Sequence, residues 1–215
     1  MPTLKDIQQR VGVKADGLWG PVTANAIWGA LPPLAPSSAP SPLPTDDEFV
    51  AAAIEHLEFE EGRRARAYKD HLGWWTIGIG RLIDPRKGGR ITQEEEAILI
   101  KNDPSRKPGD WRNWVLTDLE INMLKMNDIN RFVSVISKWP AWKAVGDNTA
   151  RKVALTSLAF QLGTAGLASF KNSLGLVEKG QFKEAADNFM LSKWAKQTPA
   201  RAKRVTEMIR TGKLS

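Results

Sequence analysis

Apolar positions recur at helical spacing through most of the chain, and one short stretch breaks the rhythm. Val50, Ile54 and Leu57 step by four and three residues, and the next step falls on Glu61. This predicts an amphipathic helix whose stripe ends on a partly desolvated acid. Thr45 and Glu48 form a capping-box pattern at its start, and Gly62 stands where a helix C-terminus favours glycine. Beyond Gly62 the period becomes alternating. Arg64 to Lys69 and Trp74 to Gly80 read as two short strands that turn through Asp70, His71, Leu72 and Gly73. On the second strand Trp75, Ile77 and Ile79 share one face and are predicted to pack inward. Trp74, Thr76, Gly78 and Gly80 share the other, which is nearly bare backbone and would admit a bulky polar ligand.

Helical spacing then resumes. Ile91 to Asp103 and Leu116 to Asp128 each read as an N-capped helix and agree at five of thirteen positions, so a duplication and a recurring helix-start pattern both fit. The polar loop between them, from Pro104, ends in Trp111 and Trp114. Thr149 is the predicted cap of a helix apolar almost all round, through Val153, Ala154, Leu155, Leu158, Ala159 and Leu162, which belongs at the centre of a bundle. Thr198 and Pro199 read as the cap and first residue of a last helix. Arg201 then lies in its first turn, where the helix dipole disfavours a cation by under ~1 kcal/mol. The predicted fold is mainly α (α+β), with a small β-hairpin lobe, a helical bundle lobe and a small helical N-terminal module.

Three segments follow from punctuation. Residues 1–31 form a unit with Leu4, Ile7 and Val11 on one helical face ended by Gly12, and Ala26, Ile27 and Leu31 on a second helix. The turn between them, Asp16, Gly17, Leu18, Trp19, Gly20, Pro21, Val22, Thr23, resembles the signature of a peptidoglycan-binding module. The resemblance implies wall binding through Asp16, Gly17, Trp19, Gly20, Pro21 and Thr23; a structural cap without ligand also fits. Only about two helices precede the prolines where that module usually has three, and so short a unit is expected to lean on its neighbour. Residues 32–45 are a linker with six prolines, whose extended form would reach ~40 Å at about 3.1 Å per residue. Residues 46–215 form the main domain.

Composition narrows the chemistry. The absence of cysteine removes disulfides and thiol nucleophiles, and with His56 and His71 as the only histidines, read as surface groups, a His/Cys zinc site is not expected. The chain has a formal charge of +7. From Met190 onward, Lys193, Lys196, Arg201, Lys203, Arg204, Arg210 and Lys213 face Glu207 alone, so this end could attract an anionic polymer, although a solvated face is the default. No apolar run reaches the roughly 18 residues of a membrane span and no signal-peptide core opens the chain, so synthesis in the cytoplasm is expected.

Two carboxylates, Glu61 and Asp70, and the hydroxyl of Thr76 surround the open sheet face. Such a set suits hydrolysis of a sugar acetal: one carboxyl protonates the leaving oxygen while the other steadies positive charge and positions water. By residue type alone, a solvated hairpin with ordinary surface acids also fits. The whole string from Glu61-Gly62 through Tyr68-Lys69-Asp70 and Gly73 to Thr76-Ile77-Gly78-Ile79-Gly80 resembles the phage lysozymes of glycoside hydrolase family 24. Phe160-Gln161-Leu162-Gly163, Phe170 with Ser173-Leu174, Glu184 to Asn188, Trp194 and Gln197 to Val205 continue that resemblance.

The resemblance implies a lysozyme-like fold and cleavage of the β-1,4 bond between N-acetylmuramic acid and N-acetylglucosamine, with inversion at the anomeric carbon. Glu61, Asp70 and Thr76 would be catalytic, with sugar contacts at Leu82, Phe160, Ser173 and Asn188, and Arg201 paired with Glu61. No cofactor or metal is expected. Where that family often has histidine after Gly80 this chain has Arg81, which puts a histidine-linked ion pair there in doubt. Trp111 and Trp114, on a segment 84–114 leaving the catalytic sheet, either stack on sugars in the cleft or pack in the core. The implied setting is a monomeric endolysin of a phage infecting a Gram-negative host. It would be held in the host cytoplasm until another factor such as a holin admits it to the periplasm and wall. Peptidoglycan is the expected partner, with lipopolysaccharide or phospholipid as possible partners of the basic C-terminus and no nucleic acid. A lytic transglycosylase and a non-enzymatic cationic wall- or membrane-binding protein are the alternatives.

Overall fold

The computed structural model describes residues 4–10, 14 and 47–215. The Asp16 to Thr23 turn, the second N-terminal helix, the proline-rich linker and the Thr45 cap lie outside the described residues. The chain divides into two compact units, residues 1–52 and Ala53–Ser215. In the first, Leu4–Arg10 is helical (α1). Helix α2, Asp47–Glu61, starts in the first unit and ends in the second.

Helix α2 stops because Gly62 takes a left-handed φ of 72°, and its N–H reaches back to the Glu58 carbonyl at 2.8 Å. The chain then forms a three-stranded antiparallel meander of β1 (Arg64–Lys69), β2 (Trp75–Gly78) and β3 (Arg81–Leu82). Tyr68 lies opposite Thr76, and Thr76 opposite Leu82. The second strand is shorter than its alternation predicts. Gly78 and Gly80 both adopt φ of 67°, which turns the chain and creates the unexpected third strand. The face expected to be bare is not open, because Thr76 and Gly78 are buried and a Cβ on Gly78 would meet Ile121 at 3.6 Å.

Two helices of matching design support the sheet, α3 (Gln93–Asn102) and α4 (Asp118–Ile136). Each begins with a full capping box, Thr92 with Glu95 and Thr117 with Glu120. Each boxed glutamate is buried and also held by an arginine: Arg81 to Glu95 at 2.5 Å, and Arg106 to both oxygens of Glu120 at 2.7 and 2.8 Å. The sheet-side core joins Ile77, Ile79, Ile83, Leu99, Ile121 and Leu124 with Trp114.

The remaining helices are α5 (Pro140–Ala144), α6 (Thr149–Ala168), α7 (Lys171–Glu178), α8 (Phe182–Met190), α9 (Lys193–Gln197) and α10 (Pro199–Thr211). Helix α6 is the predicted central helix, with every residue from Val153 to Ala159 buried. Its cap is Asn148 rather than Thr149, since the Asn148 side chain accepts from the Arg151 N–H at 2.9 Å. Gly163, at φ 72° and ψ 159°, breaks its helical geometry one residue after the predicted apolar run. Helix α10 packs on α6 and α8, burying Ala202, Val205, Met208 and Ile209. Thr198 is its N-cap and Pro199 its first residue, as predicted, but the Thr198 side chain makes no capping bond and its hydroxyl donates to the Trp194 carbonyl at 3.2 Å. Among the described residues no single helix is long and apolar enough to cross a membrane.

Candidate active site

Glu61 is the last residue of α2, and its side chain is 24% exposed. The buried positions of α2 are Phe49, Val50, Ala53, His56 and Leu57, with Ile54 half-buried, so the inward stripe is rotated from the predicted one and Glu61 stands at its edge. That rotation also corrects the reading of His56 as a surface group. Its ring is buried, with Nε2 3.0 Å from the Ser157 hydroxyl. Burial pushes the imidazole pKa down to about 4; the Glu60 charge opposes this, and Arg201 and Arg204 reinforce it. His56 is therefore neutral at neutral pH.

Ser157 connects His56 to the acid. Arg201, in the first turn of α10, donates one Nη to Glu61 and the other to Ser157 Oγ at 3.2 Å. With the imidazole proton on Nδ1, the Ser157 hydroxyl donates to Nε2 and keeps its lone pairs for Arg201. Arg204, one turn on, grips both oxygens of Glu60 at 2.8 Å. Two adjacent glutamates of α2 are thus clasped by two arginines of α10. Three of the seven basic C-terminal residues are committed internally: Arg201 and Arg204 here, and Arg210 to Asp187 at 2.6 Å.

Asp70 sits at the turn between β1 and β2. Its Oδ1 accepts from the backbone N–H of Leu72 at 2.9 Å and of Trp74 at 2.8 Å, while Gly73, at φ 80°, closes the turn. Among the described residues, Oδ2 carries no hydrogen bond. One oxygen is thus spent on holding the loop. Thr76 is 5% exposed, and its hydroxyl donates to the Trp74 carbonyl at 3.3 Å.

Tyr68 escaped sequence reasoning. It pairs across the sheet with Thr76. Burial raises its phenol pKa, the charge of Glu61 raises it further, Arg64 opposes, and Asp70 adds in the same direction as Glu61. Gly80 explains the last glycine of the string: a Cβ there would lie 3.0 Å from Glu61 Cγ and 3.1 Å from Oε2.

Leu82 and Phe160 line a cleft of about 430 Å³ together with Gly80, Asp128, Arg131 and Phe132. Phe160 packs edge-to-face on Phe132 at 5.7 Å. Ser173 and Asn188 are not among the cleft-lining residues; they bond to each other, the buried Ser173 hydroxyl donating to Asn188 Oδ1 at 2.7 Å. Gly88, Gly89 and Arg90 bring segment 84–114 into the cleft wall, but its tryptophans do not line the cleft. Trp114 is 3% exposed in the core under Arg106, and the half-buried Trp111 donates to Glu96 at 2.6 Å. The sugar-stacking alternative gives way to packing, because Trp114 belongs to the sheet-side core and Trp111 packs against it while bonded to Glu96 of α3.

Arg81 is buried and makes an ion pair of its own, with Asp128 and Glu95. Beside it lies a residue that sequence reasoning missed. Lys125, on the inward side of α4 between Leu124 and Asp128, is 1% exposed; its Nζ has no hydrogen-bond partner and stands 3.4 Å from the Phe160 ring centroid. Burial lowers its pKa to about 7, against the charges of Asp128 and Glu61. The signal was present, since Lys125 falls one helical turn after Ile121 in an apolar stripe. Among the described residues, no three His, Cys, Asp or Glu side chains are grouped to hold a metal ion.

Residues 58–210 match the family model described as phage lysozyme. The chain is 32% identical over 178 residues to "Probable T4-type lysozyme 1" of Dictyostelium discoideum, spanning 78% of this chain and 98% of that one. With "Probable T4-type lysozyme 2" of the same organism it shares 30% over 172 residues, 77% and 98% of the two chains. It is 34% identical over 177 residues to the "Pre-baseplate central spike protein Gp5" of Enterobacteria phage T4, covering 81% of this chain and 30% of that protein.

Proposed function

The chain belongs to the phage lysozyme family of glycoside hydrolases, and on that premise we propose that it hydrolyses the β-1,4 bond from N-acetylmuramic acid to N-acetylglucosamine in peptidoglycan. Glu61 protonates the leaving glycosidic oxygen, steered by Arg201. Asp70, through its unspent Oδ2, stabilises the oxocarbenium-like transition state from the other side and, with Thr76, orients the attacking water. Leu82 and Phe160 hold a sugar in the adjoining cleft. What supports this reading is Glu61 clasped by Arg201 and resting against Gly80, with Asp70 on the β1–β2 turn keeping one carboxylate oxygen unused among the described residues. Thr76 is buried with its hydroxyl turned to the Trp74 carbonyl, so it acts after the hydroxyl rotates toward water.

We further propose that attack is inverting and that the setting is an endolysin, with residues 1–31 adding affinity for the wall. The test is product analysis on purified peptidoglycan. Reducing-end muramic acid, appearing first as the α-anomer by NMR, is the expected result. A β-anomer would reject inversion alone, anhydro-muramic ends would reject hydrolysis, and release of stem peptides would reject glycan cleavage. Loss of retention on insoluble wall after deletion of residues 1–45 tests the affinity role.

A further inference from the structure

The tip of the β1–β2 hairpin is apolar where a solvated turn is ordinarily polar. Leu72 is 65% exposed there, and Trp74 and Trp75 follow it half-buried. Most backbone donors of the turn are already paired. The N–H groups of Asp70 and Gly73 reach the Trp74 and Asp70 carbonyls at 3.0 and 2.9 Å, and those of Leu72 and Trp74 are held by Asp70 Oδ1. A loop whose donors are satisfied from within loses little on leaving water. Leu72 therefore rides on a turn suited to an apolar surrounding.

Cations form a collar behind this tip. Successive residues of a strand point to opposite faces, and the two tryptophans have different neighbours accordingly. Trp74 lies under Arg86 at 5.0 Å and Lys87 at 4.8 Å, and Trp75 under Lys69 at 5.6 Å and Arg112 at 5.3 Å. Arg86 is paired with the buried Asp84, yet its own side chain is 64% exposed. Lys69, Lys87 and Arg112 make no ion pair among the described residues. Across residues 64–87 and 107–115 seven cations are exposed, whereas none of the three acids, Asp70, Asp84 and Asp110, is. The bridge from Arg66 to Val115 ties the second segment to β1, so both belong to one lobe.

The set differs from the basic C-terminus, where Arg201, Arg204 and Arg210 are already paired with carboxylates. An exposed apolar tip, indole rings at its shoulder and a cationic collar match the layers of an anionic bilayer: hydrocarbon, headgroup region and phosphate. We propose that the hairpin tip is a docking edge for an anionic phospholipid surface, with Leu72 and Trp74 entering the headgroup region and Lys69, Arg86, Lys87 and Arg112 meeting the lipid phosphates. A nucleic acid fits this edge less well. Its bases need free ring faces to stack on, and cations of the protein already lie over both tryptophans. Leu72 would have no partner along a sugar-phosphate chain. The docking edge is separate from the reading of the cleavage site, in which Leu72 and the four cations have no part.

The chain has no cysteine, so Leu72→Cys in the full-length protein takes an environment-sensitive fluorophore at the tip alone. Leu191→Cys, at a position 77% exposed just past α8, is the matching reporter on the bundle lobe. Each labelled protein is mixed with vesicles of phosphatidylcholine containing phosphatidylglycerol, and with vesicles of phosphatidylcholine alone. The expected result is a blue shift at position 72 with the anionic vesicles only, and none at position 191. Vesicle sedimentation of unlabelled protein gives a second measurement that does not depend on the label. Lys87→Gln and Arg112→Gln, both at exposed positions, should each weaken partitioning by ~5-fold, the worth of one cation at an anionic surface, while Lys203→Gln should change it little. Failure of the full-length protein to bind anionic vesicles at low ionic strength would overturn the proposal. So would a shift at position 191 without one at 72, equal binding to neutral vesicles, or a tip fluorophore that answers duplex DNA but not vesicles.

Discussion

Arg201 and Glu61, 140 positions apart in sequence, form an ion pair at the junction of α2 and α10. The guanidinium reaches Glu61 with one Nη and Ser157 Oγ with the other, so one side chain ties the carboxyl at the end of α2 to both α6 and α10.

If Glu61 delivers the proton, Glu61→Gln keeps the shape and the Arg201 contact while removing the proton. Wall-clearing activity should fall by ~10²–10⁴-fold, the usual worth of a positioned acid, with the thermal midpoint little changed. Turbidity loss of outer-membrane-stripped cells reads the first quantity and circular dichroism the second. A well-folded variant with substantial residual activity would reject the assignment.

The buried His56 gives stability a defined acid window. Its folded pKa is about 4 against an ordinary 6.5, so between those values the unfolded chain binds a proton that the folded chain refuses. Stability should fall as pH drops through this window, by about 3 kcal/mol in all from this group. His56→Gln should flatten that part of the curve in urea titrations at pH 7 and pH 4.5. Equal slopes for parent and variant would mean that the ring titrates normally in the fold.

The helical bundle was legible because its central helix is apolar around nearly its whole circumference and its breaks are glycines. The hairpin was legible because the string from Glu61 to Gly80 alternates and turns where Asp70 and Gly73 dictate. Three features were not legible, each because a long-range partner decides them. His56 is inside because Ser157 waits for it across 101 positions. Thr198 does stand at the N-cap, yet the Trp194 carbonyl takes the hydroxyl that would have capped the helix. The third strand exists because positive φ at Gly78 and Gly80 returns the chain onto β2, and a strand pattern in sequence does not distinguish glycines that continue a strand from glycines that end it. The candidate acid pair and its hydroxyl were read from the string; Tyr68 carries no residue-type signal of its place opposite Thr76, and Lys125 shows itself only by its position on the apolar stripe of α4.

Trp114 and Trp111 should separate by mechanism. Trp114→Ala removes a core side chain packed with Leu99 and should cost ~3–5 kcal/mol. Trp111→Phe retains most of the packing but deletes the bond to Glu96, for about 1 kcal/mol. Neither should raise the substrate concentration needed for half-maximal rate in the folded fraction. Such a rise for Trp111→Phe without loss of thermal midpoint would return that residue to the cleft.

Lys125 poses the sharpest energetic question in the fold. A buried ammonium without a hydrogen bond is costly, and the face of Phe160 offsets it by about 2 kcal/mol when desolvated. With a folded pKa of about 7 against 10.5, both states are protonated below pH 7 and the full penalty applies. Between about 7 and 10.5 the unfolded chain holds the proton and the folded chain does not, so stability rises with pH across that window. Lys125→Met nearly conserves volume, removes the charge and places a thioether on the ring. The variant should be more stable than the parent by a few kcal/mol at pH 6, with the gap shrinking by about 2–3 kcal/mol at pH 9. Urea unfolding at the two pH values measures both. A variant less stable than the parent at pH 6 would show that the ammonium gains more from Phe160, Asp128 and Glu61 than it loses in leaving water; a gap independent of pH would show that Lys125 keeps an ordinary pKa inside the fold.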